Sequence, residues 1–309
     1  MEQKLELPQY IDSTMLSTFR SCPHKFYNSF IRNIVPSGQS VHLVAGGALA
    51  AGVEAARNFA LKTRNLDTNY PAPLYSIDDL MLAAFPAFSK AWGDYEAPED
   101  SAKSFHNTLY AMERYLTEFH PQKDPVQPKY KADGTPSTEF SFAIPIDILH
   151  PNGEPFIFVG RFDMLGEFNG LPVIVDEKTT GSLGQMWTKQ WDMRGQFIGY
   201  CWACQQLGIQ VDNAVIRGIG ILKTDIKFLT AYINYPKHLI DRWVVEMYNT
   251  IFQMVHFYNH SHFPQVFSDA CGSFGGCAYT TLCLAKNPEN WLNNYETRTW
   301  SPVSQLESD

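Results

Sequence analysis

Three ionisable side chains stand on either side of a turn signal near the middle of the sequence. Asp163 precedes the dipeptide Asn169-Gly170, and Asp176 and Lys178 follow it. Asn-Gly between two apolar runs is the strongest short signal for a β-hairpin with a two-residue turn. Counting outward from this turn predicts that Asp163 lies directly opposite Asp176, so the two acidic side chains share one face.

Like charges directly opposite each other destabilise a sheet, so we expect a divalent cation between them. Mg²⁺ or Mn²⁺ suits such a site, because it combines one or two carboxylates with substrate phosphate and retains water that can attack phosphorus. Lys178 follows Asp176 by two positions and shares its face, where it would orient the water or stabilise developing charge. Glu177 points to the opposite face, so its backbone carbonyl is the expected metal ligand.

A surface ion pair is the ordinary explanation of an isolated Asp-x-Lys. Here Asp176 follows the apolar run 173–175 at a strand end, which favours a reacting group.

The elements that position these residues are strands flanked by helices. Alternating apolar residues predict a strand from about residue 138, and the runs 156–168 and 171–178 complete a three-stranded antiparallel meander. Apolar periodicity and caps predict the other elements. These are helices from about Asp12 with a break at Cys22-Pro23, and at 46–66, 76–92, 100–120, 183–207 and 237–259, with strands at 213–222 and 228–235.

The motifs together resemble the PD-(D/E)xK nucleases of the RecB and AddB branch. They are Gly160-x-x-Asp163, the hairpin, Asp176-x-Lys178-Thr179 and Gln196-x-x-x-Tyr200. The resemblance covers roughly residues 13–56 and 138–285. It implies that Gln196 and Tyr200, on one face of a helix, lie beside the active centre.

The resemblance also implies a ligand helix that reads Gly-x-x-x-His-x-x-x-Glu. Gly46 and Glu54 match this pattern, and Ala50 stands at the histidine position. Glu54 is therefore expected to reach the metal directly or through water. The missing histidine leaves open a weakened metal site, a changed metal preference or an inactive relative.

Four of the six cysteines form a second constellation, and three of these four lie late in the chain. The segment that carries Cys271, Cys277 and Cys283 contains a glycine-rich turn of the kind that wraps a cluster, and Cys22 is the candidate for a fourth thiolate. This spacing resembles that of AddB-like nucleases and CRISPR-associated RecB-like exonucleases, which implies a structural 4Fe-4S cluster. Zinc is the rival, although its structural sites use closer cysteine pairs.

Cys201 and Cys204 form a Cys-x-x-Cys inside an aromatic-rich helix. We interpret them as buried, inert thiols. In the same helix most aromatic residues are expected in the core, with Lys189 and Arg194 as candidates for contacts to a DNA backbone.

The expected fold is α/β (α+β), a restriction-endonuclease-like core with a central mixed sheet flanked by helices. We predict four parts: N-terminal helices with Cys22 and Glu54 (1–66), a helical insertion (67–130), the nuclease core (131–262) and a C-terminal iron-sulfur tail (263–309). The net charge of −8 argues against nonspecific coating of nucleic acid and permits a nuclease with a local basic channel.

No run is apolar enough to span a membrane, and Met1-Glu2-Gln3-Lys4 lacks an apolar signal core, so we expect a cytoplasmic protein, in the host cytoplasm if viral.

The leading hypothesis is a metal-dependent DNA exonuclease that acts on single-stranded ends, with a helicase, recombination or replication partner. A catalytically weak or inactive relative that binds DNA or a partner is the alternative. Retention of Asp163, Asp176 and Lys178 together favours catalysis. An electron-transfer iron-sulfur protein is weakest, since it needs no acidic hairpin.

Overall fold

The computed structural model describes residues 5–62, 73–131, 134–272 and 276–298. Seven strands form one mixed sheet flanked by helices, in the order β1-β5-β6-β7-β8, with β3 and β4 also paired to β5. The strands of this sheet are β1 (Tyr10–Ile11), β3 (Gln127–Pro128), β4 (Thr138–Leu149), β5 (Pro155–Phe168), β6 (Leu171–Thr180), β7 (Asn213–Ile221) and β8 (Ile226–Asn234). A second sheet pairs β2 (Ile34–Pro36) with β9 (Tyr295–Thr297).

Most helices are amphipathic, with one buried face. They are α1 (Ser13–Ser21), α2 (Pro23–Phe26), α3 (Val41–Lys62), α4 (Ile77–Trp92), α5 (Phe105–Glu118), α6 (Gln185–Lys189), α7 (Gly195–Gln206), α8 (Lys237–Asn259) and α9 (Thr280–Leu284). Over the described ranges, none of these helices has the length and apolar character needed to cross a membrane.

The chain divides into two compact units, each built from separate stretches of sequence. Unit 1 comprises Met1–Gly38, Ser141–Gly160 and His238–Asp309, and unit 2 comprises Gln39–Phe140 and Arg161–Lys237.

Unit 2 contains the hairpin and the helices that pack on its sheet. β5 and β6 are antiparallel, β6 and β7 are parallel, and β7 and β8 are antiparallel. Apolar residues of α3, α4 and α5 form one core with the end of β7 and the start of β8. Leu49, Phe88 and Met112 are among its fully buried members. Gly218 allows close packing over β7, because a Cβ there would lie 2.6 Å from side-chain atoms of Leu183 and Trp187.

Unit 1 contains aromatic contacts that join residues 19 and 27, near the start of the chain, to α8 and to the segment after it. Phe19 packs against Phe257 with ring centroids 5.7 Å apart, and Tyr27 stacks on Phe263 at 5.2 Å. Asp12 caps α1 by accepting a hydrogen bond from the Met15 N–H at 2.7 Å.

The structure confirms the predicted fold class and most of the predicted elements. Asn169 and Gly170 have φ of 51° and 78°, as a two-residue hairpin turn requires, and the helix break at Cys22-Pro23 is present. The single helix over 183–207 is wrong, because α6 and α7 are separate. Between them, the Trp191 carbonyl accepts a hydrogen bond from the Tyr235 hydroxyl at 2.7 Å, so one of its partners is distant in sequence and not part of a helix.

Some sequence predictions lie outside the described residues. These are the N-terminal residues 1–4, the end of the predicted helix and the start of the insertion at 63–72, residues 132–133 of the predicted core, the centre of the glycine-rich turn at 273–275 and the end of the predicted tail at 299–309. The four-part division of the chain stays a prediction.

A buried ionic network joins the insertion to the sheet within unit 2. Arg217 on β7, 2% exposed, binds both oxygens of Asp124, at 2.6 and 2.8 Å. The guanidinium also lies 4.3 Å from the ring centroid of Phe119 and donates to the Tyr115 hydroxyl at 3.2 Å. These contacts satisfy two charges that would be costly to bury alone.

Replacement of Asp124 by Ala leaves the Arg217 charge buried without its carboxylate. We expect a loss of about 3–5 kcal/mol in the free energy of unfolding, measured by urea denaturation. The matched control is Glu167→Ala, which breaks the exposed pair of Lys129 and Glu167 (3.3 Å) and should cost about 0–1 kcal/mol. Equal losses in the two variants would contradict this reading of the network.

Candidate active site

The hairpin brings the two predicted aspartates to adjacent strands of unit 2. The register pairs Met164 with Val175 and continues to the turn, and one further step along it leads to Asp163 and Asp176. Asp163 Oδ2 accepts a hydrogen bond from the backbone N–H of Glu177 at 2.5 Å. Burial, the Asp176 charge and the Glu177 charge together raise the pKa of Asp163 well above its usual range. The carboxylates of Asp163 and Asp176 therefore repel each other, and a nearby positive charge would stabilise both.

Lys178 supplies positive charge on the same face. Its ammonium forms an ion pair with Asp176 Oδ1, as the alternation along β6 predicts. Burial would lower the pKa of Lys178, but the carboxylates of Asp176 and Asp163 raise it. Burial raises the pKa of Asp176 although Lys178 opposes the shift, so one ammonium does not fully balance the acidic couple.

The side chain of Glu177 points away from Asp163 and Asp176, and residues of two helices hold it on the other face of β6. Its carboxylate pairs with the Arg57 guanidinium of α3 and accepts a hydrogen bond from the Tyr115 hydroxyl at 2.6 Å. Burial would raise the pKa of Glu177, but Arg57 lowers it. Because Glu177 is clamped, the backbone on either side of it, which carries Asp176 and Lys178, has a fixed orientation. The side chain lies on the opposite face from Asp176 and Lys178, as predicted, and the carbonyl as a metal ligand stays a prediction.

Gln196 and Tyr200 lie together on α7, as the four-residue spacing predicts. The Gln196 amide donates to the Tyr200 hydroxyl at 2.9 Å. Tyr200 packs on Phe162, the neighbour of Asp163, with ring centroids 5.3 Å apart. The Lys178 ammonium lies 5.8 Å from the Phe197 ring centroid on the same helix. These contacts put α7 beside the hairpin.

Glu54 is half-buried on α3, and its described contacts are with other residues than the aspartates. Asn58 donates to its Oε1 at 3.5 Å, and its charge acts on Glu139. Among the described residues, no group of three or more His, Cys, Asp or Glu side chains is arranged to hold a metal ion. Glu54 therefore does not complete a three-residue cluster with Asp163 and Asp176, and its role as a ligand stays a prediction.

Sequence reasoning missed Glu139 at the start of β4. It has a positive φ of 48° and pairs with Arg161 at 2.8 Å. Burial raises the pKa of Glu139 to about 7, against the lowering effect of Arg161. A glutamate that begins a strand carries no recognisable signal, and only the fold brings it near Glu54 and Glu177.

The donors present suit a hard divalent cation. Asp163 is half-buried and Asp176 is buried, on neighbouring strands, and burial together with the Asp176 charge raises the pKa of Asp163, an effect that a bound cation would oppose. Oxygen ligands of this kind are those that Mg²⁺ and Mn²⁺ prefer.

Cys22, Cys271, Cys277 and Cys283 line one cavity of about 280 Å³ in unit 1. Burial raises the pKa of the Cys283 thiol, and the charges of the other three cysteines raise it further, which indicates that the four sulfurs are neighbours. Thiolates in such a group suit a soft metal or a cluster that shares its positive charge among them. The thiols are of the type that the expected cofactor needs, but over the described residues they do not form a group arranged to hold a metal ion, so the cluster stays a prediction.

The remaining sequence predictions concern α6 and α7. Cys201 and Cys204 are fully buried, and burial raises the pKa of Cys204 to about 12, in agreement with inert thiols. Trp187 and Trp191 are buried in the core, whereas Lys189 and Arg194 are exposed. Contact of Lys189 and Arg194 with DNA stays a prediction.

Comparison with known proteins gives a family. The family described as the PD-(D/E)XK nuclease superfamily matches residues 13–284. Curated proteins give no match. One similar solved structure, named "Putative exonuclease" from Eubacterium rectale, has 12% identity and a TM-score of 0.46, with 97% of this chain and 94% of that chain covered. Another, SSO0001, has 14% identity and a TM-score of 0.33, with coverage of 81% and 98%.

The superfamily match spans most of the sequence, and the hairpin within it carries the acidic couple of Asp163 and Asp176 beside a lysine. The chain belongs to the PD-(D/E)XK nuclease superfamily.

Proposed function

We propose that this protein hydrolyses phosphodiester bonds of DNA with Mg²⁺ or Mn²⁺ and acts as an exonuclease on single-stranded ends. The observation that carries the proposal is the couple of half-buried Asp163 and buried Asp176 beside the Lys178 ammonium. A structural sheet gains nothing from two repelling carboxylates, whereas a metal-dependent phosphodiesterase needs them. The preference for single strands and for ends rests on the resemblance to the RecB and AddB branch.

Each residue has a distinct role in this proposal. Asp163, Asp176 and the Glu177 carbonyl would hold the metal, with Glu54 contributing directly or through water. The bound metal would supply an activated water and neutralise phosphate charge. Lys178 orients that water and stabilises the charge that develops on the phosphate. Gln196 and Tyr200 line the approach to Asp163 and position the strand.

A catalytically weak relative that binds DNA or a partner protein is the second candidate. Ala50 favours it, because this position carries a metal-binding histidine in the family that the sequence resembles. Both candidates have DNA as a partner and the cytoplasm as the proposed location. A helicase, a recombination protein or a replication protein would recruit either one to a free end, for DNA repair or recombination.

We further propose that Cys22, Cys271, Cys277 and Cys283 hold a 4Fe-4S cluster with a structural role. Support comes from the single cavity that all four line. A cluster bound there would connect residue 22 with residues after 270. Such a long-range link restricts the unfolded chain and so stabilises the folded state.

Replacement of Asp176 by Ala should lower the cleavage rate of end-labelled single-stranded DNA with Mn²⁺ by about a hundredfold or more, because the metal loses a carboxylate. The protein is purified anaerobically, and product length is followed with time. Asp225→Ala is the matched control, since this exposed aspartate lies in the β7–β8 turn and should leave the rate unchanged.

Equal degradation by wild-type protein and Asp176→Ala would show that a contaminating nuclease, or a different site, cuts the DNA. Binding of the strand without cleavage by the wild type would favour the inactive relative. Products that shorten one nucleotide at a time support the exonuclease, and internal cuts contradict it.

Cys22→Ala should remove most of the iron and the visible charge-transfer absorption from anaerobically purified protein, because a thiolate ligand is lost. The wild type should contain about four iron and four sulfide per chain. Cys201→Ala removes a buried thiol that lines no part of the cavity and should retain both signals. Zinc in place of iron, with no acid-labile sulfide, would contradict the assignment.

A further inference from the structure

A pocket of about 450 Å³ lies in unit 1, between α2 and the segment that follows α8. His24 and Tyr27 line one side of it, and residues 261–265 with Phe267 line the other. The residues at 261, 262 and 267 are exposed, so the pocket opens to solvent and a ligand can enter it. Its volume is within the range of sites that bind small molecules.

Direct contacts hold the two sides of the pocket together. The His24 backbone N–H donates to the Pro264 carbonyl at 3.2 Å, and His24 Nδ1 donates to the Phe263 carbonyl at 3.1 Å, since a carbonyl only accepts. Tyr27 stacks on Phe263, with 20° between the ring planes. The pocket is therefore formed before a ligand arrives, which reduces the entropy lost on binding.

Hydrogen-bonding groups face this pocket without a protein partner. Among the described residues, none bonds the Tyr27 hydroxyl, the Gln265 side-chain amide or His24 Nε2, although all three residues line the pocket. Water can bond these groups in the free protein. A ligand that replaces the water must itself carry donors and acceptors along an edge.

Phe267 adds a flat apolar face to the pocket. Its side chain is 86% exposed, and its φ is 50°. A positive φ is unfavourable for a phenylalanine, and an exposed ring gains no stability from burial in a core. Glycine would adopt this backbone at lower cost. The retention of an aromatic ring here therefore indicates a contact with a planar ligand.

The charge around the pocket favours a ligand that carries phosphate. Among the described residues that line it, none is acidic, although the whole chain has a net charge of −8. Lys25 lines the adjacent cavity of the four cysteines, and that cavity shares Gln265 and Phe267 with this pocket. A phosphate attached to the ligand would thus have an ammonium nearby.

We propose that this pocket binds one nucleobase of single-stranded DNA, with Phe267 stacked on the base and Tyr27 and Gln265 hydrogen-bonded to its edge. Unstacked bases are bound in proteins by this combination of aromatic stacking and edge hydrogen bonds. The inference rests on the proposed function, because it takes the base from the substrate strand. Unit 1 then contributes a binding site for the strand, in addition to the acidic couple of unit 2.

The test measures affinity for a fluorescent single-stranded oligonucleotide by anisotropy in an Asp176→Asn background, which prevents cutting. Phe267→Ala should bind about tenfold more weakly, as expected for the loss of one stacked base, and Phe267→Tyr should bind as the parent does. Tyr27→Phe retains the ring on Phe263 and removes only the hydroxyl, so affinity should fall about fivefold. On a strand of abasic sites with the same charge, Phe267→Ala should have no effect.

The matched control is Phe252→Ala, which removes an exposed phenylalanine from α8 of the same unit, outside the pocket, and should leave affinity unchanged. Thermal unfolding of each variant separates folding from binding. Parental affinity in Phe267→Ala would overturn the proposal even if the wild type cuts DNA. An equal loss on the abasic strand would show that the ring contacts no base and would also overturn it.

A further arm separates a strand from a free nucleotide. If Phe267→Ala weakens binding of thymidine monophosphate but not of the oligonucleotide, the pocket takes a free nucleotide, and the assignment to the strand is overturned. Absence of DNA binding by the parent would refute the proposed pocket ligand, whereas loss of cleavage alone would refute only the catalytic proposal.

Discussion

Mutual repulsion between the half-buried carboxylate of Asp163 and the buried carboxylate of Asp176 is the interaction on which the candidate site in unit 2 depends. The Asn169-Gly170 turn fixes the register that brings them together, and the Glu177 N–H and the Lys178 ammonium partly offset their charge. The offset is incomplete, because the pKa of Asp163 stays well above its usual range. A proton or a divalent cation is needed to complete it, and the cation makes the site a candidate for phosphodiester chemistry.

The two faces of β6 have different roles, one in the candidate active site and one in packing. One face carries Asp176 and Lys178, and the other carries Glu177, whose carboxylate is clamped by Arg57 from α3 and by Tyr115 from α5. The Tyr115 hydroxyl also accepts a hydrogen bond from Arg217, which continues to Asp124. The insertion thus braces the strand that bears the proposed catalytic residues. The repulsion between Asp163 and Asp176 is tolerated because β6 is held on its other face by the ion pair of Arg57 and Glu177, which the insertion supports.

Local signals made the hairpin, the Asp176 and Lys178 face and the Gln196 and Tyr200 pair predictable, because turn chemistry and the periods of strand and helix determine them. Other features depend on contacts between distant segments and leave no local trace. Arg57 and Tyr115 bind Glu177, and Arg217 binds Tyr115, from three different elements. The hydrogen bond from Tyr235 to the Trp191 carbonyl lies where periodicity alone would continue a helix. Glu139 was missed for the same reason, since an isolated charged residue reveals its burial only in the folded chain. The ligand role of Glu54 and the cluster of Cys22 with Cys271, Cys277 and Cys283 remain predictions.

Calorimetric titration of metal-free protein with Mn²⁺ addresses the acidic couple directly. The wild type should bind Mn²⁺, and its affinity should weaken as the pH falls, because protons compete with the metal for a carboxylate whose pKa is raised. Asp163→Asn should lose most of the affinity, while the exposed-site variant Asp225→Asn should retain it. Mn²⁺ binding of equal strength in wild type and Asp163→Asn would contradict a metal site between these two strands.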